Sequence, residues 1–571
     1  KKGEIKYVPN YQKNLTIFYW FITLTIILLL AIIVSSCGEK ESPEPPPPTP
    51  PANFLITNWE VNGILSLTEY KNISTTPIIK LKFPVAIERS SVSAGINFNG
   101  GSYNITYQNG DSVLLLQPTA PLNYLTKYNL TANTSLKSTK GGILFSPAAF
   151  SLLTQLDSSD KFPLLTDNQL LDKVQQQTFK YFWDFGHPVS GMARERNSST
   201  ETVTTGGTGF GIMAIVAAVH RGFITRQEGR DRVLKITNFL INNCTRYHGV
   251  FSHWIYGSTG VTQPFSTNDN GADLVETSFL LEGLITARQY FDGADAIETE
   301  LRTKINLIWD GVEWNWFRQN NQNVLYWHWS PDKGWIMNHQ IKGWNEGLIV
   351  YVLASSSRTD SIPKIVYDNG WASNGGMMNN NTYYGYQLPL GSPYGGPLFF
   401  EHYSFLGINP NGLSDAYANY QNQTVNHTKI NYEYCKLNPL GWYGYSDQTW
   451  GLTASDGPAP SYYQAHSPTN DKGVITPTAA LSSFPFTPAE SMAALKFFYY
   501  KLGDKLWGNY GFYDSYKLSD PWFASSTLAI DQGPIIVMIE NYRSGLLWNL
   551  FTSAPEIKNG MRRLGFSAPY L

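Results

Sequence analysis

Thr267-Asn268-Asp269-Asn270-Gly271-Ala272-Asp273-Leu274-Val275-Glu276-Thr277 leads straight into the apolar run 278–285. A polar, acid-bearing lead before a long apolar run predicts the mouth of a buried helix. The spacing i, i+4, i+7 sets Asp269, Asp273 and Glu276 along one side of it. Two readings compete. Asn268 or Asp269 caps the helix and the acids suit its dipole, or the carboxyls are poised for acid–base work on a glycosidic bond, which needs a pair of them.

Outward from this stretch the period stays helical. The pattern predicts helices at 167–185, 209–221, 225–243, 272–291, 294–310, 345–356, 414–420, 488–502, 528–541 and 555–564. Long loops rich in Gly, Trp, Tyr and Asn separate them, and loops of that length inside a compact domain are usually functional. The segment Thr205-Gly206-Gly207-Thr208-Gly209-Phe210-Gly211 follows no βαβ pattern and is no dinucleotide loop. It is expected to turn the chain tightly into the helix after it. No GxSxG elbow occurs.

Before residue 160 the character changes. Lysines at 1, 2, 6 and 13 precede an apolar run at about 15–34 that ends in Val34-Ser35-Ser36-Cys37-Gly38. This resembles a bacterial lipobox, so residues 1–37 are expected to be a lipoprotein signal peptide with lipid added at Cys37. The expected location is the outer membrane, on its periplasmic face or at the cell surface. Residues 38–52 form a stiff Pro-rich linker. From 53 to 156 short alternating stretches (78–83, 103–107, 112–116) and the turn signals Asn99-Gly100-Gly101 and Asn109-Gly110-Asp111 predict a β-sandwich. Its "IIKLKFPVAIERSSV", "LLLQPTAPLNYLTKYNLT" and "FSLLT" resemble bacterial Ig-like domains.

The 571 residues are 14% aromatic and only 15% charged, with 17 Trp and a net charge of −2. Such a surface excludes nucleic acid as a partner and favours carbohydrate, whose C–H faces stack on rings. With Cys37 lipidated, Cys244 and Cys435 are too few for a disulfide framework. No metal-ligand spacing is present; neither metal nor cofactor is expected, and the chain is expected to be a monomer.

The motifs "TFKYFWDFGHPVSGMARERN", "DNGADLVETSFLLEGLITARQYF", "WNEGLIVYVLASSS", "PLFFEHYSFLGINP" and "YGYSDQTWGLTASDGP" resemble the glucoamylase-like family, which includes bacterial β-1,2-glucanases of glycoside hydrolase family 144. The resemblance implies a mainly α chain, with residues 160–571 forming an (α/α)6 toroid after the Ig-like domain. It also implies metal-free, inverting hydrolysis of β-1,2-glucan. The family's acidic motifs carry over to Asp269 and Asp273, with Ala272 in place of an expected Gly, and to Glu346. Burial beside Trp344 would raise the pKa of Glu346, as a general acid requires; a first-turn position would lower it. Asp273, Asp269 or Asp447 would then serve the water. Arg194, Glu276, Glu401 and His402, with Trp254, Trp335, Trp344, Trp442 and Trp450, are the expected substrate contacts. Asp456 reads as a turn residue. Two alternatives stay open: transfer or phosphorolysis on similar β-glucans, and a surface glycan-binding lipoprotein.

Overall fold

The computed structural model describes residues 49–571. Cys37, the signal peptide and most of the Pro-rich linker lie outside them. Strands β1 (Asn58–Val61), β2 (Ile64–Leu65), β3 (Glu69–Ile73), β4 (Ile79–Lys82), β5 (Ile96–Phe98), β6 (Tyr103–Gln108), β7 (Val113–Pro118), β8 (Lys127–Ala132) and β9 (Ala148–Thr154) build two sheets. Their orders are β2-β1-β4-β7-β6 and β3-β9-β8-β5, and only β3–β9 is parallel. The β6–β7 hairpin turns where Asn109 and Gly110 both take positive φ, 51° and 61°, as a primed turn demands. Alternate residues (Leu81, Leu114, Leu116, Leu130, Leu152) fill the space between the sheets.

This sandwich is joined to the helical part. Leu125 and Leu153 share a core with Leu170, Leu171 and Val174. The Tyr443 hydroxyl accepts from Leu156 N at 3.2 Å and donates to Asn72 Oδ1 at 3.2 Å.

Eleven helices of eight residues or more follow among the described residues: α1 (Asp167–Trp183), α2 (Thr205–His220), α3 (Arg226–Asn242), α4 (Leu274–Tyr290), α5 (Ala296–Asp310), α6 (Leu348–Ser356), α7 (Tyr420–Leu437), α8 (Pro488–Lys496), α9 (Ala529–Ser544), α10 (Leu546–Ser553) and α11 (Pro555–Leu564). They form two layers. Helices α2, α4, α6 and α9 are buried on nearly every side, whereas α1, α3, α5 and α11 bury one face and wet the other. Among the described residues no helix is long and apolar enough to cross a membrane.

Three expectations need correction. The glycine-rich segment does not turn the chain before α2; it is the first two turns of that helix. Its glycines permit close approach, since a Cβ on Gly209 would lie 2.1 Å from Phe279 O of α4, and one on Gly283 would lie 2.2 Å from Gly209 O. Residues 414–419 are not helical: Ser414 bridges Asn419 and Ser567, and the helix begins at Tyr420. That helix is half polar letters, which hid its period. Lastly, 497–501 is a π-helical turn rather than a continuation of α8.

Candidate active site

The four inner helices bring their N-terminal ends to one place. Asp273 is the N-cap of α4, and its Oδ1 accepts from Glu276 N at 2.9 Å. Asp269 and Asn270 therefore precede the helix, and the three acids do not line one helical side as the spacing suggested. They meet because residues Ala272–Asp273 pair with His328–Trp329 as a short ladder. Asp273 Oδ2 lies 3.4 Å from His253 Nδ1 and 3.7 Å from His328 Nε2, which is 3.6 Å from Asp269 Oδ2. Glu276 turns to the head of α2, its Oε2 accepting from Gly206 N at 2.8 Å and its Oε1 lying 3.7 Å from His253 Nε2.

These contacts separate the acids electrostatically. Burial, with the Asp273 charge added, pushes Asp269 up to about 7. Burial also opposes ionisation of Asp273, yet its contact with His253 and the nearby His328 hold it below the usual range. Glu276 is raised by burial. His253 is desolvated but lifted to about 9 by Glu276 and Asp273. One wall thus holds ionised Asp273 against a cationic His253. His253, Asp269 and Asp273 offer ligand atoms within 4.8 Å of one another and are the residues that could receive a divalent cation.

Glu346 sits just before α6. Its carbonyl accepts from Ser404 Oγ at 2.5 Å, and the same hydroxyl accepts from Ile349 N at 3.0 Å. The carboxyl is half-buried. Burial first, then the charges of Glu276 and Asp273, push it up to about 7. Desolvation outweighs the helix dipole here.

A second wall faces the first. Asp456 Oδ2 accepts from Ser526 Oγ at 2.5 Å and from Arg196 Nη1 at 3.2 Å; Arg196 Nε donates to Glu195 Oε2 at 2.9 Å. Asp514 Oδ2 accepts from Asp456 N at 2.6 Å, and Asp531, in the first turn of α9, lies near enough for the Asp514 charge to push it up. Between the walls is a cavity of about 270 Å³ whose lining includes His253, Trp254, Phe265, Arg196, Tyr463 and Ile530. His253 stacks on Phe265 at 4.5 Å. A larger groove of about 690 Å³ runs between α1 and α8. Its lysines are already paired, Lys496 with Asp167 and Lys501 with Asp160, both at 2.7 Å.

Of the expected substrate contacts, Trp254 and Glu276 belong to this site. Arg194 is spent on Thr200 O and Phe185 O and lies over the Phe185 ring, so Arg196, two residues on, is the arginine in the cavity. Glu401 is fully buried, with Oε1 accepting from Trp344 Nε1, Gln423 Nε2 and His427 Nδ1 at 2.7–2.9 Å. It holds Trp344 among Trp371, Phe405 and Tyr420, so neither side chain is free for a sugar. His402 is buried on Ser483 Oγ and kept neutral, burial pushing it down to about 3. Trp450 is fully buried with Nε1 on Glu490 O. Trp442 lies under Lys517 Nζ at 4.7 Å, away from the cavity. Trp335 joins a cluster with Trp316, Phe317 and Tyr326. Asp447 is exposed, its charge reaching Tyr432 and Lys436 of α7 rather than Glu346. Asp456 is a wall residue, not a turn residue.

Sequence reasoning missed His253, His328, Asp514 and Asp531. A signal existed for Asp531, an acid in the otherwise apolar segment Leu528-Ala529-Ile530-Asp531.

Residues 338–555 match the glycoamylase family model, described as "Putative glucoamylase", and 58–154 match a bacterial Ig-like domain. The endo-β-1,2-glucanase from Chitinophaga pinensis, solved with sophorotriose and glucose, is 47% identical. The match covers 72% of this chain and all of that one, with a TM-score of 0.70. The chain belongs to the glucoamylase-like family. Within that family, a β-1,2-glucanase structure from Parabacteroides distasonis is 38% identical over 91% of this chain and 74% of that one, with a TM-score of 0.68. An exo-β-1,2-glucooligosaccharide sophorohydrolase (non-reducing end) from the same organism is 46% identical over 431 residues. That match takes in 72% of this chain and spans 60% of the curated relative's length.

Proposed function

We propose that this chain is a glycoside hydrolase that cleaves β-1,2-linked glucan. The observation that carries the proposal is Glu346: a half-buried carboxyl at the head of α6, pushed up to about 7 by burial and by the charges of Glu276 and Asp273. A carboxyl that keeps its proton near neutrality can give it to a glycosidic oxygen as the bond breaks. Asp273, held ionised, supplies negative charge for the sugar ring as it becomes cationic, and Asp269 is placed to hold hydroxyls. Trp254, Phe265 and Tyr463 offer ring faces to glucosyl C–H surfaces. The linkage rests on the names of the Chitinophaga and Parabacteroides relatives.

The finer reading has inner and outer helices closing as an (α/α)6 toroid, with inversion at the anomeric carbon. An inverting enzyme sets its carboxyls roughly 6.5–9.5 Å apart to admit water. The protein works as a monomer, tethered through Cys37 to the outer membrane. A product time course on linear β-1,2-glucan tests the activity. Reducing ends must rise with water as sole acceptor, with α-anomers appearing first; no turnover by the wild type ends the proposal.

A further inference from the structure

An inverting hydrolysis needs a group that takes a proton from water on the face away from the acid. The histidine-flanked wall supplies no free carboxylate for that task. Asp273 is 1% exposed, caps α4 with Oδ1 and faces two histidines with Oδ2. Glu276 is tied to Gly206 N. Both also lie close enough for their charges to raise Glu346.

The other wall differs. Asp531 and Asp514 are each 4% exposed; Asp531 Oδ2 and Asp514 Oδ1, like Asp273 Oδ2, have no hydrogen-bond partner, but Asp273 Oδ2 has His253 3.4 Å away. Buried acceptors left open in this way call for a proton or a bound molecule. Asp531 is the member nearer the chemistry. Its neighbour Ile530 lines the cavity. Tyr403, whose phenol burial holds high, feels both Asp531 and Glu346. Asp514 stands behind, fixed by Asp456 N.

We propose that Asp531 is the carboxylate that accepts the water proton, and that Asp514 is its positioning partner, the two sharing one proton between them. This rests on the hydrolase reading above. In the step, the water oxygen bonds to the anomeric carbon as the bond to the glycosidic oxygen breaks. The leaving oxygen takes the Glu346 proton and Asp531 takes one from water. Exchange with solvent then takes the proton from Asp531 and returns one to Glu346. Burial raises both members of the pair; the Asp456 charge adds to the rise of Asp514, and the Asp514 charge to that of Asp531. Asp456, Arg196, Tyr463 and Tyr403 are the other titratable groups facing the pair.

Asp531→Asn and Asp531→Ala in the full chain should lose kcat by ~100-fold or more with KM changed less than ~3-fold, the range for losing a general base. Sophoro-oligosaccharide binding by calorimetry should persist, showing that the variants fold. Azide should restore turnover to Asp531→Ala as an α-glycosyl azide but leave Glu346→Gln unrescued. Asp514→Asn should keep more activity and move the acid limb of the pH–kcat profile. The proposal is overturned if Asp531→Ala keeps kcat within ~3-fold of wild type, or if azide yields no product. A wild type inactive on β-1,2-glucan would sink the hydrolase reading instead.

Discussion

The two walls of the cavity carry nearly the same number of buried acids and neutralise them by different means. Asp273 and Glu276 face His253 and push it up to about 9, so there charge is met by charge. Asp456 has Arg196, but Asp514 and Asp531 have no cation in contact and are left with each other. Buried like charges cannot both stay ionised, and sharing a proton is the remaining solution. On the histidine wall the Asp273–His253 pair keeps its charges through neutral pH. A wall balanced by a shared proton can exchange one.

The largest effect expected from breaking this arrangement is on Glu346. Glu346→Gln should lower kcat by ~1,000-fold, in the range for losing a general acid, with KM nearly unchanged in steady-state assays. Next is Asp273→Ala, which removes a helix cap and strands His253. A loss of about 3 kcal/mol is expected in urea unfolding, against about 1 kcal/mol for Asp456→Asn on the other wall. Equal losses would mean that the walls are not built differently.

In wild type the rate should fall as pH rises past about 7, because Glu346 gives up its proton there. Each further pH unit costs about tenfold in the protonated fraction; a flat profile from pH 7 to 9 would remove Glu346 as the acid. The smallest effect concerns stability. His253 is raised from 6.5 to about 9, so its ion pairs stabilise the fold fully below pH 6.5 and are lost as pH climbs through about 9. His253→Gln should flatten that part of the Tm–pH curve, measured calorimetrically.

Legibility followed the length scale of the physics. Helix α4 could be read from 272–285 because an apolar run behind acids has few other solutions, and Glu346 could be singled out by the apolar run 347–353 after it. Trp344 and Trp450 were misjudged, since an aromatic in a polar segment reads the same whether its ring faces solvent or a core 50 residues away. Arg194 and Arg196 differ only in what the chain beyond them brings near. Asp531 was passed over because a first-turn acid has an ordinary explanation in its own helix.

Local pattern alone determined that an alternating β segment precedes a domain of buried helices, and that acids stand at the heads of α4 and α6. Those features depend on neighbours a few residues away. Only the tertiary structure decided which acids meet. Asp273 reaches His253 and His328, Glu276 reaches Gly206, and Asp531 reaches Asp514, through contacts 17 to 70 residues apart in the chain. The opening stretch supplied three carboxylates; helix packing at the Gly209–Gly283 crossing and the ladder to His328 set which of them stay charged.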